Sequence, residues 1–431
     1  MSLTRRIWIS TTVVILLVGG YLFFYNRPIE LQKAVLMTTP IMFQDGSVKP
    51  YATLPADVDA PFVKVFYATD RQPTDTAIID PLYYGNERSM NLFLGRATVR
   101  FGNPDNAWAD VERDSLRRQR TRAIPLEIEN VEVVHQFGSP IELLTDSLRK
   151  QTLSNDAFVQ AIKARLFHSG DKSVFIFVPG FKVNFAYPVL VAAELWHYLG
   201  YDGAFIAYSW PSRQRIRDYL SDVETAAFTA QHFRMLLLYL AQIPEVEHIH
   251  ILCYSAGARI VSQAIHEIRL MVHGKPQGAD YADLKLGRII FAAPDIDMML
   301  FTTRYRDGFE DIVDAITIYT NANDTALNWA LRFFGWPRLG APGELGLTPE
   351  EIKSLEGIKK TESIDVAAAE EAASGNGHGY FIKSPWVSSD ILLTLKYNLP
   401  PSQRGLTRQT GNRVWEFPGN YPGTLRHAIG E

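Results

Sequence analysis

The chain has 431 residues, 47% hydrophobic and 21% charged, which is a globular composition long enough to bury a large core. A formal net charge of -4 offers no electrostatic case for a nucleic-acid partner. The single cysteine, Cys253, excludes an intrachain disulfide and a cysteine-based zinc cluster.

The first element is apolar on every face. Ile7 to Tyr25 reads IWISTTVVILLVGGYLFFY, without a charge. Roughly 19 residues at ~1.5 Å rise cross a hydrocarbon core of ~30 Å. Trp8 near one end and Tyr21 and Tyr25 near the other suit the two interfaces. Arg5 and Arg6 bias the N-terminus to the cytoplasm, while Arg27 and Lys33 act against that orientation. Bulky residues stand where a signal peptidase needs small ones, so residues 1–27 are expected to be an uncleaved anchor. Residues 28–61 carry Pro28, Pro40, Pro50, Pro55 and Pro61 and read as a stalk.

A domain is expected over 62–400. VKVFYATD, NLFLGRATVRFG and IENVEVVHQFG alternate like the strands of an opening meander. Ser154 to Phe167 reads as an amphipathic helix with Ser154 as N-cap. Strands and helices then alternate. The expected strands are 173–178, 204–210, 248–253, 288–293, 315–320 and 362–367. The expected helices are 187–198, 219–241, 256–272, one from about Asp324, and 387–396. Near-continuous apolar strands between amphipathic helices predict an α/β fold whose mostly parallel sheet is covered on both faces. The Arg-, Gly- and Pro-rich residues 401–431 read as an irregular tail.

The strand HIHILC runs straight into Cys253-Tyr254-Ser255-Ala256-Gly257 and a helix. That is the strand-turn-helix setting of a nucleophile elbow, whose flanking positions must be small. Gly257 meets the need fully, whereas Cys253 stands where glycine is usual. The alternative reading of Ser255 is an ordinary helix cap. In an α/β hydrolase the acid and then the histidine follow the serine in the chain. After Ser255 come His266, His273, His378 and His427. His266 lies about three turns along the elbow helix, His273 at its end and His427 in the tail. His378 sits in Gly375-Asn376-Gly377-His378-Gly379, a glycine-rich loop with no apolar face to fill. Asp324, after the strand AITIYT, is the favoured acid, and it could equally cap a helix. Asp295 and Asp297, after the preceding strand, compete with it. An oxyanion hole needs two backbone donors, and the N–H groups of Ala256 and Phe181 are the candidates, because Pro179 has none.

VPGFKVNF, AYSWPS, ILCYSAGARIV, AAPDID, TNANDTAL and GHGYF occur in that order, preceded by VFYATDR and YYGNER. This ordered set resembles a bacterial α/β-hydrolase group of the esterase/lipase superfamily, one catalogued as a domain of unknown function, over roughly 62–395. The resemblance implies the α/β-hydrolase fold and carries Ser255, Asp324 and His378 over as a triad; no Walker loop, dinucleotide fingerprint or metal-ligand spacing is seen, so no cofactor and no metal are expected. Cys253 and Pro179 depart from the usual pattern. The expectation is a membrane-anchored serine hydrolase acting on a small-molecule or lipid-like ester. Its hydrolase domain would lie on the periplasmic side of a bacterial inner membrane. The alternative is a degenerate hydrolase fold kept as a binding or scaffold protein at the membrane.

Weaker signals remain. Trp210 could wall the substrate pocket, and Trp329, Phe333, Phe334 and Trp336 could line an apolar slot, though a set at helical spacing is more often core. Residues 337–361 could form a cap or a plain loop. Arg117, Arg118, Arg120 and Arg122 read as a solvated face that could touch anionic lipid. His248 and His250 alternate on a strand beside no evident carboxylate.

Overall fold

The computed structural model describes residues 34–44, 48–74, 83–138, 156–215, 218–272, 281–341, 360–408 and 413–428. The apolar stretch 7–25, Ser154, His273 and most of 337–361 lie outside these residues. No helix among the described residues is long and apolar enough to cross a membrane.

The chain opens with β1 (Ala34–Val35), β2 (Phe62–Pro73), β3 (Tyr84–Phe101), α1 (Trp108–Ser115) and β4 (Pro125–Phe137). Then come α2 (Ala157–Phe167), β5 (Ser173–Val178), α3 (Ala186–Tyr198), β6 (Ala204–Tyr208) and α4 (Tyr219–Ala241). The central part is β7 (His248–Tyr254), α5 (Gly257–Met271), β8 (Leu286–Ala292), α6 (Met298–Arg306), β9 (Ala315–Thr320) and α7 (Thr325–Phe334). Last are β10 (Thr361–Asp365), α8 (Tyr380–Lys383), α9 (Pro385–Tyr397), β11 (Val414–Glu416) and α10 (Tyr421–Ala428).

These strands form one sheet in the order β1-β4-β3-β2-β6-β5-β7-β8-β9-β10-β11. The meander β4-β3-β2 is antiparallel, and from β2–β6 onward every pairing is parallel. The parallel strands are apolar on both faces because helices cover both. In β5, Phe175 and Phe177 join the core under α3 and α9, while Val174, Ile176 and Val178 join the core under α2, α4 and α5. The period-2 alternation of a strand thus feeds two separate cores.

Three boundaries differ from the sequence reading. The cap of α2 is Asp156, whose carboxylate accepts from the amides of Phe158 and Val159 at 2.8 and 3.1 Å. The described part of 28–61 is no free stalk. Leu36, Met37, Met42 and Phe43 are buried, and the Met37 amide donates to Glu194 at 2.7 Å. Nor is the described part of 401–431 irregular. Phe417, Tyr421 and Leu425, spaced by four, are buried, and Tyr421 packs 5.4 Å from Trp386. Arg404, fully buried, pairs with Asp390 at 2.8 Å. Within the basic run, Arg120 bonds Tyr198 Oη at 2.7 Å and the Leu36 carbonyl at 2.8 Å, so it braces the fold.

Candidate active site

β7 lies inside the sheet between β5 and β8, and its carboxyl end delivers Ser255 into the turn before α5. Ser255 has φ +52°, in the left-handed region. For a side chain with a Cβ such a conformation costs roughly 1–3 kcal/mol and persists only where surroundings enforce it. Here they do. The Ser255 amide donates to the Ala292 carbonyl at 3.0 Å, and its own carbonyl accepts from the amides of Ala258 and Asp295, each at 3.1 Å. Gly257 is required by close approach, since a Cβ there would lie 2.6 Å from the carbonyl oxygens of Val178 and Pro179. Cys253, the departure from glycine, is accommodated. It is fully buried, and its Sγ donates to the Ile290 carbonyl at 3.3 Å. Burial pushes the thiol well above its ordinary pKa, so it is no competing thiolate.

Ser255 Oγ is 2.8 Å from His378 Nε2, and His378 Nδ1 is 2.5 Å from Asp324 Oδ2. With the carboxylate on Nδ1, the neutral imidazole carries its hydrogen there and leaves Nε2 to accept from the hydroxyl. Asp324 is fully buried and also caps α7, its Oδ1 accepting from the Leu327 amide at 3.0 Å. The two readings of this residue therefore coexist, one on each oxygen. Asp295 and Asp297 are elsewhere employed. Asp297 caps α6 through the Leu300 amide at 2.8 Å, and Asp295 pairs with Tyr219, Arg259 and Arg338.

The His378 loop is fastened to the end of β9. Asn321 Nδ2 donates to the Gly377 carbonyl at 2.9 Å, and the Thr325 amide donates to the Asn376 carbonyl at 3.0 Å. The imidazole rests on the Tyr254 ring, 5.0 Å between centroids.

The turn after β5 closes the other side. A Cβ at Gly180 would lie 2.9 Å from Ser255 Cβ, which measures how closely this backbone approaches the hydroxyl. Neither the Phe181 nor the Ala256 amide donates to an acceptor among the described residues. Lys182 has φ +70°, and its amide donates to Ser212 Oγ at 2.7 Å. Ser212 Oγ in turn donates to Asp222 Oδ2 at 2.9 Å. Burial pushes the Asp222 carboxyl up to about 6, against its bonds from Ser212 and Arg213. Arg71, fully buried, donates to the Val183 carbonyl at 2.8 Å and to Ser209 Oγ at 3.0 Å. Arg71, Ser212, Asp222 and Asn321 were missed in the sequence, because partners so distant along the chain leave no local signature.

Two expected pocket residues lie elsewhere. Trp210 is fully buried, its indole donating to the Pro179 carbonyl at 2.9 Å, so it props the turn and walls no pocket. Trp329 is 69% exposed, and Phe333 and Trp336 beside it are exposed too, so they line no enclosed slot and are not core. Among the described residues no group of three or more His, Cys, Asp or Glu side chains could hold a metal ion. His248 does meet a carboxylate, its Nδ1 lying 3.3 Å from Asp314 Oδ2.

A family model described as alpha/beta hydrolase of unknown function (DUF900) matches residues 154–396, more than half of the chain. The match takes in Ser255, Asp324 and His378. No curated protein matches the chain. Among solved structures, the chain is similar to an inhibited esterase B from Lactobacillus rhamnosis, with 9% identity over 53% of this chain and 80% of that one. The TM-score is 0.28, too low to carry an argument here.

Proposed function

The chain belongs to the α/β-hydrolase family of unknown function (DUF900), and from that premise we propose a serine hydrolase that cleaves carboxylic esters through an acyl-enzyme. The observation that carries this reading is the unbroken run of hydrogen bonds from Ser255 Oγ through His378 to Asp324, at 2.8 and 2.5 Å. Ser255 Oγ attacks the ester carbonyl while His378 Nε2 takes its proton. Asp324 keeps the imidazole in the right tautomer and stabilises the imidazolium without becoming protonated. The oxyanion is held by the amides of Phe181 and Ala256, each donor worth roughly 3 kcal/mol in such a site. His378 then gives its proton to the departing alkoxide. Water, activated by the same nitrogen, attacks the acyl carbon and frees the serine.

The competing idea, a degenerate fold that only binds, draws on Cys253 and Pro179. Against it, the Cys253 thiol is buried and bonded, and the Pro179 carbonyl is held by Trp210. Hydrolysis of short-chain 4-nitrophenyl esters by the full chain tests the two. The hydrolase reading expects turnover that is lost in His378→Ala; no turnover at any acyl length supports the binding protein.

We further propose that residues 7–25 anchor the chain in a membrane, with the hydrolase domain on the side away from the N-terminus. The support is the uncharged run itself and Arg5 and Arg6 ahead of it. Alkaline-carbonate extraction of membranes checks it: an anchored chain stays in the pellet, and release to the supernatant removes the proposal.

A further inference from the structure

Beside Ser255, on the Phe181 side, lies a cluster for which the hydrolytic steps above have no use. The Asp295 amide is bonded to the Ser255 carbonyl at 3.1 Å, so the Asp295 side chain starts next to the elbow. That buried carboxylate accepts from Tyr219 Oη and lies 3.4 Å from Arg259 Nη2 and 3.5 Å from Arg338 Nε. Both guanidiniums stand over one ring, that of Phe334, at 5.6 Å for Arg259 and 4.3 Å for Arg338.

Asp295 is shared between the two arginines, and their donors are not all satisfied. Arg259 Nε and Arg338 Nε are buried without a hydrogen-bond partner, and the Arg338 side chain is only 2% exposed. A buried donor left without a partner is costly, and more so when it is charged. Unpartnered buried donors of this kind persist where a ligand supplies the missing acceptors.

The cluster is reachable. Phe181, Tyr219, Phe334 and Arg259 are all half-buried. They touch in sequence: Phe181 to Tyr219 at 4.9 Å, Tyr219 to Phe334 at 5.7 Å, and Arg259 to Tyr219 Oη at 3.4 Å. An accessible strip therefore runs from the candidate oxyanion turn to a guanidinium. Arg259 also lies in the first turn of α5, four residues after Ser255, so helix and nucleophile elbow carry the two residues together.

We propose that Arg259, backed by Arg338, is an anion-binding subsite of the candidate active site, and that the ester cleaved there carries a carboxylate or phosphate. The inference rests on the serine-hydrolase reading for its substrate and on the arginine cluster for its specificity. Arg259 meets the anion in a charge-assisted bond, with Arg338 holding Phe334 and the Asp295 carboxylate in place behind it.

The test uses the full chain at low ionic strength. 4-Nitrophenyl butyrate is compared with 4-nitrophenyl hydrogen succinate, charged in the acyl part, and phenyl butyrate with 4-carboxyphenyl butyrate, charged in the leaving group. The expected result is about a tenfold higher kcat/KM for one charged ester over its neutral partner, falling to about one in Arg259→Gln. A ratio is read, so a general loss of folded protein cancels. Binding is read apart from turnover by thermal stability in succinate, phosphate or chloride at equal ionic strength. Succinate or phosphate should raise the wild-type Tm and have no effect on Arg259→Gln; the more effective anion names the class. Equal rates and no anion-dependent Tm in the wild type, or effects that survive Arg259→Gln, overturn the subsite. Fluorophosphonate labelling of Ser255 reports on the hydrolase reading independently, so either claim can fail alone.

Discussion

Asp324 holds His378 with one carboxylate oxygen and the first turn of α7 with the other, at 2.5 Å to Nδ1 and 3.0 Å to the Leu327 amide. The imidazole is thereby fixed to a rigid helix terminus at the end of β9. Helix position and tautomer are set by the same buried group, and substitution can separate them.

Asp324→Asn keeps an oxygen for the Leu327 amide but offers Nδ1 no full carboxylate. Turnover should fall by about 10⁴-fold with a small change in Tm. Asp324→Ala should lose turnover and also about 1 kcal/mol of stability from the missing cap. Ester kinetics and thermal unfolding of both variants check the separation; equal Tm losses in the two would contradict it.

Gly257→Ala should damage the elbow directly. Its Cβ would meet the Val178 and Pro179 carbonyls at 2.6 Å, backbone atoms that cannot swing aside. A loss of about 1–3 kcal/mol is expected, with turnover reduced because β5 and α5 must separate. Denaturant unfolding measures the first and ester hydrolysis the second.

The turn after β5 should depend on Ser212. Ser212→Ala leaves the Lys182 amide without its acceptor, in a residue held at φ +70°. The Phe181 amide is then less well aimed. The expected signature is a kcat lowered about 10- to 100-fold with KM little altered, as for a weakened oxyanion contact. A change confined to KM would mean that the hydroxyl shapes binding instead.

Asp222 makes a pH-dependent prediction. Burial raises its folded-state pKa from 3.8 to about 6. Folding then favours the protonated acid, so this group's stabilisation is full below about pH 4 and is lost as pH rises through about 6. The swing is on the order of 2–3 kcal/mol. Asp222→Asn cannot titrate, so wild type should lose stability relative to this variant between pH 4 and 6 and run parallel above. Unfolding free energies of the pair across that range check it; parallel curves throughout would remove Asp222 from the account.

The C-terminal segment should be indispensable. Arg404 is fully buried against Asp390, and removing one partner of such a pair costs about 3–5 kcal/mol. Arg404→Ala should lower the unfolding midpoint accordingly, and a chain ending at residue 400 should fail to fold cooperatively. Calorimetry on both decides.

What the sequence could reveal follows the range of the forces involved. SVFIFV and AITIYT stand out as strands because helices on both faces demand apolar side chains at most positions. The elbow was legible because β7 meets α5 with only Ser255 and Ala256 between, which leaves a local pattern. The sequence favours Asp324 over Asp295 without excluding the latter, since both follow strands and only the reach of His378 separates them. Arg71 bonding Val183, 112 residues away, has no local signature at all. Phe417, Tyr421 and Leu425 do carry a helical spacing, but the intervening glycines and prolines hid it. Trp210 was misread because a strand-end aromatic looks the same whether it faces substrate or props a turn.

Peptide mapping after reaction of the intact chain with a fluorophosphonate tests the central claim most directly. The phosphonyl mass should sit on Ser255, disappear in Ser255→Ala and form far more slowly in His378→Ala. Undiminished labelling in Ser255→Ala, or a label on another residue of the wild type, would contradict the account.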